Sequence, residues 1–147
     1  MSNVKIAIVG ASVLTSAEIH AARALIRKIM STWHKDTVLV SGGAEGIDSI
    51  AESIAISLGI KCEIFRPTVN AWQRGLTGAQ GGYQERNLKI AQAANHIICI
   101  AAPSTDSVEC VHCYKANKPA KHRKSGGCWT AHQKRHSSVL VLTPIPA

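Results

Sequence analysis

Short apolar runs alternate along the chain with stretches whose apolar residues recur every three or four positions. Lys5–Gly10, KIAIVG, is a continuous apolar run closed by glycine, the pattern of a parallel strand buried on both faces. Thr15 or Ser16 then stands as a hydroxyl cap before Ile19, Ala22, Leu25, Ile26 and Ile29, which share one helical face. Thr37–Ser41 reads as a second strand. IDSIAESIAISLG reads as a helix capped by Asp48 and stopped at Gly59. Lys61–Phe65 is a third strand, YQERNLKIAQAA a short helix and His96–Ala101 a fourth strand. CWTAHQKRH predicts a last helix and Ser138–Thr143 a last strand. Arg66–Gly82, rich in glycine, is a loop long enough to cover a site. Pro103–Lys124 carries no regular pattern.

Strand and helix alternate without a hairpin signal, so the expected class is α/β. The expected fold is three-layer and Rossmann-like, a mostly parallel five-stranded sheet with helices on both faces. A length of 147 residues suits a single domain, 1–147, with a basic Cys/His-containing loop at about 103–125. Apolar residues make up 46% of the chain but aromatics only 4%, so aliphatic side chains and alanine must fill the core. No apolar run is long enough to span a membrane. The start, MSNVKIAIVG, enters a strand pattern directly, and the expectation is a cytoplasmic chain. Its five cysteines are then thiols or metal ligands rather than disulfides.

The net charge of +8 is concentrated. Residues 1–109 hold ten Lys/Arg against nine Asp/Glu, whereas residues 110–147 hold seven Lys/Arg and no carboxylate. An anionic partner, either a phosphate-bearing ligand or a nucleic acid, would meet that C-terminal quarter.

Three glycine-bearing segments fall where strands hand over to helices: Val9–Ser12, Ser41–Asp48 and Ser125–Thr130. Bare backbone at a helix start, with its unpaired N–H groups and positive dipole end, suits an anion. The spacing is neither the GxGxxG of dinucleotide sites nor a Walker loop, since no lysine follows the last glycine. No NAD or flavin is therefore expected.

VSGGAEGIDSIAE resembles the signature loop of the SLOG superfamily of Rossmann-like proteins. That group includes the DNA-processing protein A family and the LOG, or lysine decarboxylase-like, nucleotide phosphoribohydrolases. YQERNLKIAQAANHIICI resembles the arginine-bearing helix and following strand of the same group, and SGGCWTA its third element. The resemblance implies a nucleotide or nucleotide-derived ligand, with Gly10, Ser12, Ser41, Gly42, Gly43 and Gly46 near phosphate or ribose. Arg86 would pair with an anionic group beside Asn87, and Gly126, Gly127 and Thr130 would close the phosphate pocket. In the hydrolase branch the third element reads PGGxGTxEE, but here His132 and Gln133 stand in place of the glutamates. Arg86 and Glu45 are the remaining catalytic candidates, and N-glycosidic cleavage needs a carboxylate. Small domains of this group commonly pair, which implies a homodimer.

Cys110-x-x-Cys113, followed by His122 and Cys128, supplies four donors for a structural zinc ion. A redox role for the CxxC is disfavoured on the expectation that the pair does not open a helix. Cys62 and Cys99 fall within strand patterns and read as core, and His132 and His136 as surface residues. Three functions remain open. The leading one is a sensor or carrier binding a nucleotide-like small molecule. The alternatives are a phosphoribohydrolase-like enzyme and a protein that binds single-stranded nucleic acid through its basic segment.

Overall fold

A computed structural model of the chain describes residues 4–67, 83–103, 109–118 and 120–143. Its strands are β1 (Lys5–Gly10), β2 (Val38–Ser41), β3 (Lys61–Ile64), β4 (His96–Ala101) and β5 (Ser137–Val141). They form one sheet in the order β3-β2-β1-β4-β5, and every neighbouring pair is parallel. The helices are α1 (Ser16–Met30), α2 (Ile47–Ser57), α3 (Tyr83–Ala93), α4 (Val111–Lys115) and α5 (Gly126–Ala131).

The alternation of side chains along β1 separates the two cores. Ile8 joins Ala22, Ile26 and Met30 of α1 and Ile47, Ile50 and Ile54 of α2 on one face. Ala7 and Val9 join Ile90 and Ala91 of α3, Cys113 of α4, and Cys128 and Ala131 of α5 on the other. Helices thus cover both faces of a buried parallel sheet, the three-layer arrangement expected from the unbroken apolar runs.

The helix ends follow local chemistry. Thr15 caps α1 in a reciprocal box: its hydroxyl accepts from the Glu18 N–H at 3.2 Å, and its own N–H donates to Glu18 Oε1 at 2.9 Å. Past α2, Gly59 takes φ +73°, its N–H reaches Ile56 O at 3.2 Å and the Ile60 N–H reaches Ala55 O at 2.8 Å. That Schellman pair satisfies carbonyls the helix leaves open.

Two segments differ from expectation. The last helix begins at Gly126, because the Ser125 side chain accepts from the Cys128 N–H at 3.4 Å. It ends at Ala131 rather than His136, since the His136 carbonyl already accepts the Ile97 N–H at 3.0 Å and commits the chain to the sheet. The stretch expected to be irregular contains α4 and two antiparallel bridges, Pro103 with His122 and Glu109 with Lys121. Buried Cys110 and Cys113 anchor it where no aliphatic pattern exists. Most of the Arg66–Gly82 loop, residues 68–82, and the tail 144–147 lie outside the described residues. No helix among the described residues is long and apolar enough to cross a membrane.

Candidate anion site and cysteine–histidine cluster

A cavity of about 740 Å³ opens beside the end of β1, the strand at which the sheet order turns from β2 and β3 to β4 and β5. Ligands of parallel α/β sheets bind at such a reversal, beyond the carboxyl ends of the strands. Val9, Gly10 and Ser12 line it from the end of β1, and Gly43, Ala44, Glu45 and Asp48 from the β2–α2 turn. Arg66 and Pro67 follow β3, while Tyr83, Arg86 and Asn87 come from α3. His112 of α4 and Lys124, Ser125, Gly126 and Gly127 close the remaining side.

Of the residues singled out in the sequence, Gly10, Ser12, Gly43, Glu45, Arg86, Asn87, Gly126 and Gly127 stand on these walls. Ser41, Gly42, Gly46 and Thr130 do not. The Ser41 hydroxyl donates to Glu52 Oε2 at 2.7 Å, and the Thr130 hydroxyl to the Gly126 carbonyl at 2.8 Å. Gly42 is held between the Arg86 guanidinium and the Asp48 carboxylate, which lie 2.6 and 3.0 Å from where its Cβ would be.

Two glycines are explained by backbone meeting backbone. Gly46 takes φ +79° and ψ −126°, and a Cβ there would fall 2.2 Å from the Ala11 carbonyl oxygen. Its bareness lets the start of α2 abut the β1 loop, where the Ile47 N–H donates to that carbonyl at 3.0 Å. A Cβ on Gly127 would fall 2.7 Å from the Gly10 nitrogen, so α5 begins directly against the end of β1.

Asp48 does not cap α2. Gly46 occupies the cap position without a side-chain bond, and the Asp48 carboxylate turns back to accept the Gly42 N–H at 3.1 Å. Burial pushes its pKa up to about 7, against the pull of Arg86 and of the Gly42 and Ala44 amides. Arg86 is also buried. Its Nη1 donates to the Gly42 carbonyl and its Nε to Asn87 Oδ1 at 2.7 Å, while its guanidinium lies 5.5 Å from the Tyr83 ring centre. Burial lowers its pKa, and Asp48 and Tyr83 oppose the shift. Arg86 thus ties α3 to the β2 loop as well as facing the cavity. Arg66 and Lys124 are exposed at the cavity, and sequence reasoning missed both. Only their position after β3 and beside the Ser125–Gly126–Gly127 run signals them.

The Sγ atoms of Cys110, Cys113 and Cys128 and a ring nitrogen of His122 lie within 4.8 Å of one another, and all four residues are buried. His122 Nε2 is 3.3 Å from Cys113 Sγ and 3.9 Å from Cys128 Sγ. Its Nδ1 lies 2.9 Å from the Arg123 carbonyl, which can only accept, so the Nδ1 proton points there and Nε2 offers its lone pair to the thiols. Ligands around tetrahedral zinc stand roughly 3.4–3.8 Å apart, so the four donors need only a small contraction to close on an ion. Burial raises the pKa of Cys113 to about 12, and the Cys99 side chain, followed by burial, raises that of Cys128.

Contrary to expectation, Cys110 is the N-cap of α4, so the CxxC pair does open a helix. His132 is half-buried, with Nε2 3.4 Å from Cys113 Sγ, and belongs to the cluster's surroundings rather than to open surface. Cys99 is fully buried with its sulfur 3.6 Å from that of Cys128, while Cys62 is only partly buried. Arg123, next to His122, reaches both carboxylate oxygens of Glu18 at 2.5 Å and donates to Pro103 O at 3.2 Å. Burial alone would raise the Glu18 pKa, but the Thr15 N–H and Arg123 hold it below the usual value.

The family model of DNA recombination-mediator protein A matches residues 1–67. The chain resembles that family from β1 through β3. The sheet and its loops carry the Rossmann-like fold that the sequence motifs implied. Solved structures that are similar include DNA processing protein A from Streptococcus pneumoniae, at 20% identity and TM-score 0.48, covering 66% of this chain and 41% of that one. DNA processing protein A from Helicobacter pylori, described for its single-stranded DNA binding mode, gives 21% identity and TM-score 0.47, with 70% and 56% covered. The chain therefore spans about half the length of these two proteins. No curated protein sequence matches it.

Proposed function

We propose that the cavity binds the phosphate-bearing part of a nucleotide or nucleotide-derived small molecule, in a sensor or carrier role. The observation that carries this reading is the convergence of Arg66, Arg86 and Lys124 on a cavity edged by Gly10, Gly43, Gly126 and Gly127. Against those cations stand two carboxylates, Glu45 and Asp48, and burial leaves Asp48 only partly ionised near neutral pH. Guanidinium groups and open backbone suit phosphate oxygens. The volume falls in the range of small-molecule sites. Calorimetric titration with AMP tests the reading. Saturable binding that Arg66→Gln and Lys124→Gln each weaken about fivefold or more supports it; heats of dilution alone reject it for this nucleotide class.

A second reading, single-stranded nucleic acid, is favoured by the family match over residues 1–67 and by the carboxylate-free basic segment from residue 110 onward. A short oligothymidylate would then bind with an affinity that falls steeply between 50 and 200 mM salt. N-glycosidic hydrolysis is less well supported. Glu45 and Asp48 are the carboxylates on the described walls, and Asp48 is already engaged by the Gly42 N–H.

We also infer that Cys110, Cys113, His122 and Cys128 hold a structural zinc ion. Three sulfurs and one imidazole nitrogen are a donor set that suits zinc, and His122 is already oriented by its second nitrogen. Metal analysis after purification in zinc-containing medium should return one zinc per chain. A cytoplasmic location and pairing into a homodimer complete the proposal.

A further inference from the structure

One wall of the cavity and the ligands of the cluster are the same stretch of chain. His112 lies between Cys110 and Cys113 in sequence, and Lys124, Ser125, Gly126 and Gly127 lie between His122 and Cys128. The two helices carrying these residues, α4 and α5, have five and six residues. Helices so short do not hold themselves in water, since nucleation costs more than one or two turns return. Packing helps little on the α4 side. Val111, Tyr114 and Lys115 are exposed there, and Cys110 and Cys113 supply the burial. The segment is fixed by the bridges Pro103–His122 and Glu109–Lys121, by the meeting of its three thiols and His122, and by the Arg123–Glu18 tie to α1. Gly127, next to Cys128, is meanwhile pressed against the Gly10 backbone. The position of Cys128 therefore sets where the Gly126 and Gly127 amides stand at the cavity.

We infer that metal occupancy of the cluster and anion binding in the cavity are thermodynamically linked: zinc at Cys110, Cys113, His122 and Cys128 holds the Lys124–Gly127 wall in its binding position. The inference rests on both the anion-site and the zinc readings. Linkage of this kind is reciprocal, so a ligand that favours the ordered wall must tighten zinc by the same factor by which zinc tightens the ligand. A wall that is disordered for part of the time reduces apparent affinity by the fraction competent to bind.

The test uses the full chain in two forms, zinc-loaded and stripped by a chelator, with AMP as the anion probe. Zinc content is measured by atomic emission, AMP affinity by calorimetry, and amide hydrogen exchange by mass spectrometry. The expected result is one zinc per chain, and AMP affinity at least tenfold weaker after stripping. Faster exchange should be confined to peptides from residues 109–131, with β1 and β2 unchanged, and added zinc should restore both properties. The zinc affinity of the AMP-saturated chain should rise by the same factor. A zinc-loaded chain that binds AMP equally well before and after stripping overturns the inference and leaves both underlying readings standing. A chain that takes up no zinc overturns it through the metal reading, and a zinc-loaded chain that ignores AMP overturns it through the anion reading. Cys113→Ser serves as the genetic counterpart. Should that variant misfold, Lys124→Gln, which is not a ligand of the cluster, must keep its zinc while binding AMP about fivefold or more weakly.

Discussion

Replacing Gly46 by alanine attacks the contact that fixes the start of α2. Its backbone, φ +79° and ψ −126°, lies in a region that L residues rarely enter, which costs about 1–3 kcal/mol. A Cβ 2.2 Å from the Ala11 carbonyl oxygen cannot be accommodated by a side-chain swing, because the obstacle is backbone. Relief requires the β1 loop and the helix start to separate, at an overpacking cost of about 1–3 kcal/mol more. The sum is about 4 kcal/mol. Gly59→Ala is the control: φ is similarly positive at +73°, but nothing lies within 4 Å of its Cβ position. It should lose only about 1 kcal/mol, the conformational part. At about 2–4 °C per kcal/mol for a chain of this size, Gly46→Ala should melt about 10–15 °C below the natural protein and Gly59→Ala about 3 °C below. Far-ultraviolet circular dichroism on heating, with urea unfolding as a check, reads both. Equal melting temperatures for the two variants would refute the reasoning, since the close approach to Ala11 would then contribute nothing.

Other outcomes follow from the same geometry. Asp48 carries a pKa raised from 3.8 to about 7, so the folded chain holds this proton more tightly than the unfolded chain and loses stability as pH rises across that window. Asp48→Asn should gain on the natural protein as pH rises from 4 to 7, when urea unfolding is followed as a function of pH. Glu18 has the opposite sign. Its lowered pKa stabilises the fold above the unfolded value of 4.5 and the benefit is lost as pH falls below it, so Glu18→Gln should flatten the acid limb of the stability profile. Gly127→Ala, whose Cβ would meet the Gly10 backbone, should lower the melting temperature and also weaken AMP binding, because the wall itself shifts.

The sheet was legible because its strands are continuous apolar runs of aliphatic residues, such as KIAIVG and HIICIA, separated by helical periodicity. Hydroxyl and glycine signals at Thr15 and Gly59 marked two helix ends that the structure shows in the expected form. The reading weakened where tertiary contact overrides local pattern. Asp48 looked like a helix cap, yet the Gly42 amide turns its carboxylate away from the start of α2. Gly46 looked like room for a ligand, yet the Ala11 backbone fills that room. Helix α4 was invisible because its anchors are cysteines rather than aliphatic residues at helical spacing. The four cluster residues were readable from spacing, but His132 joined them only through the fold, as its sequence neighbours suggest exposed helix.

The most direct test of the central claim is an amide shift map of the isotope-labelled chain on addition of AMP. The account predicts that the largest saturable shifts fall on Gly10, Gly43, Ser125, Gly126 and Gly127, which edge the cavity, with Gly59 unmoved. Shifts confined to the exposed lysines Lys115, Lys118 and Lys121, or a spectrum unchanged at saturating AMP, would contradict it.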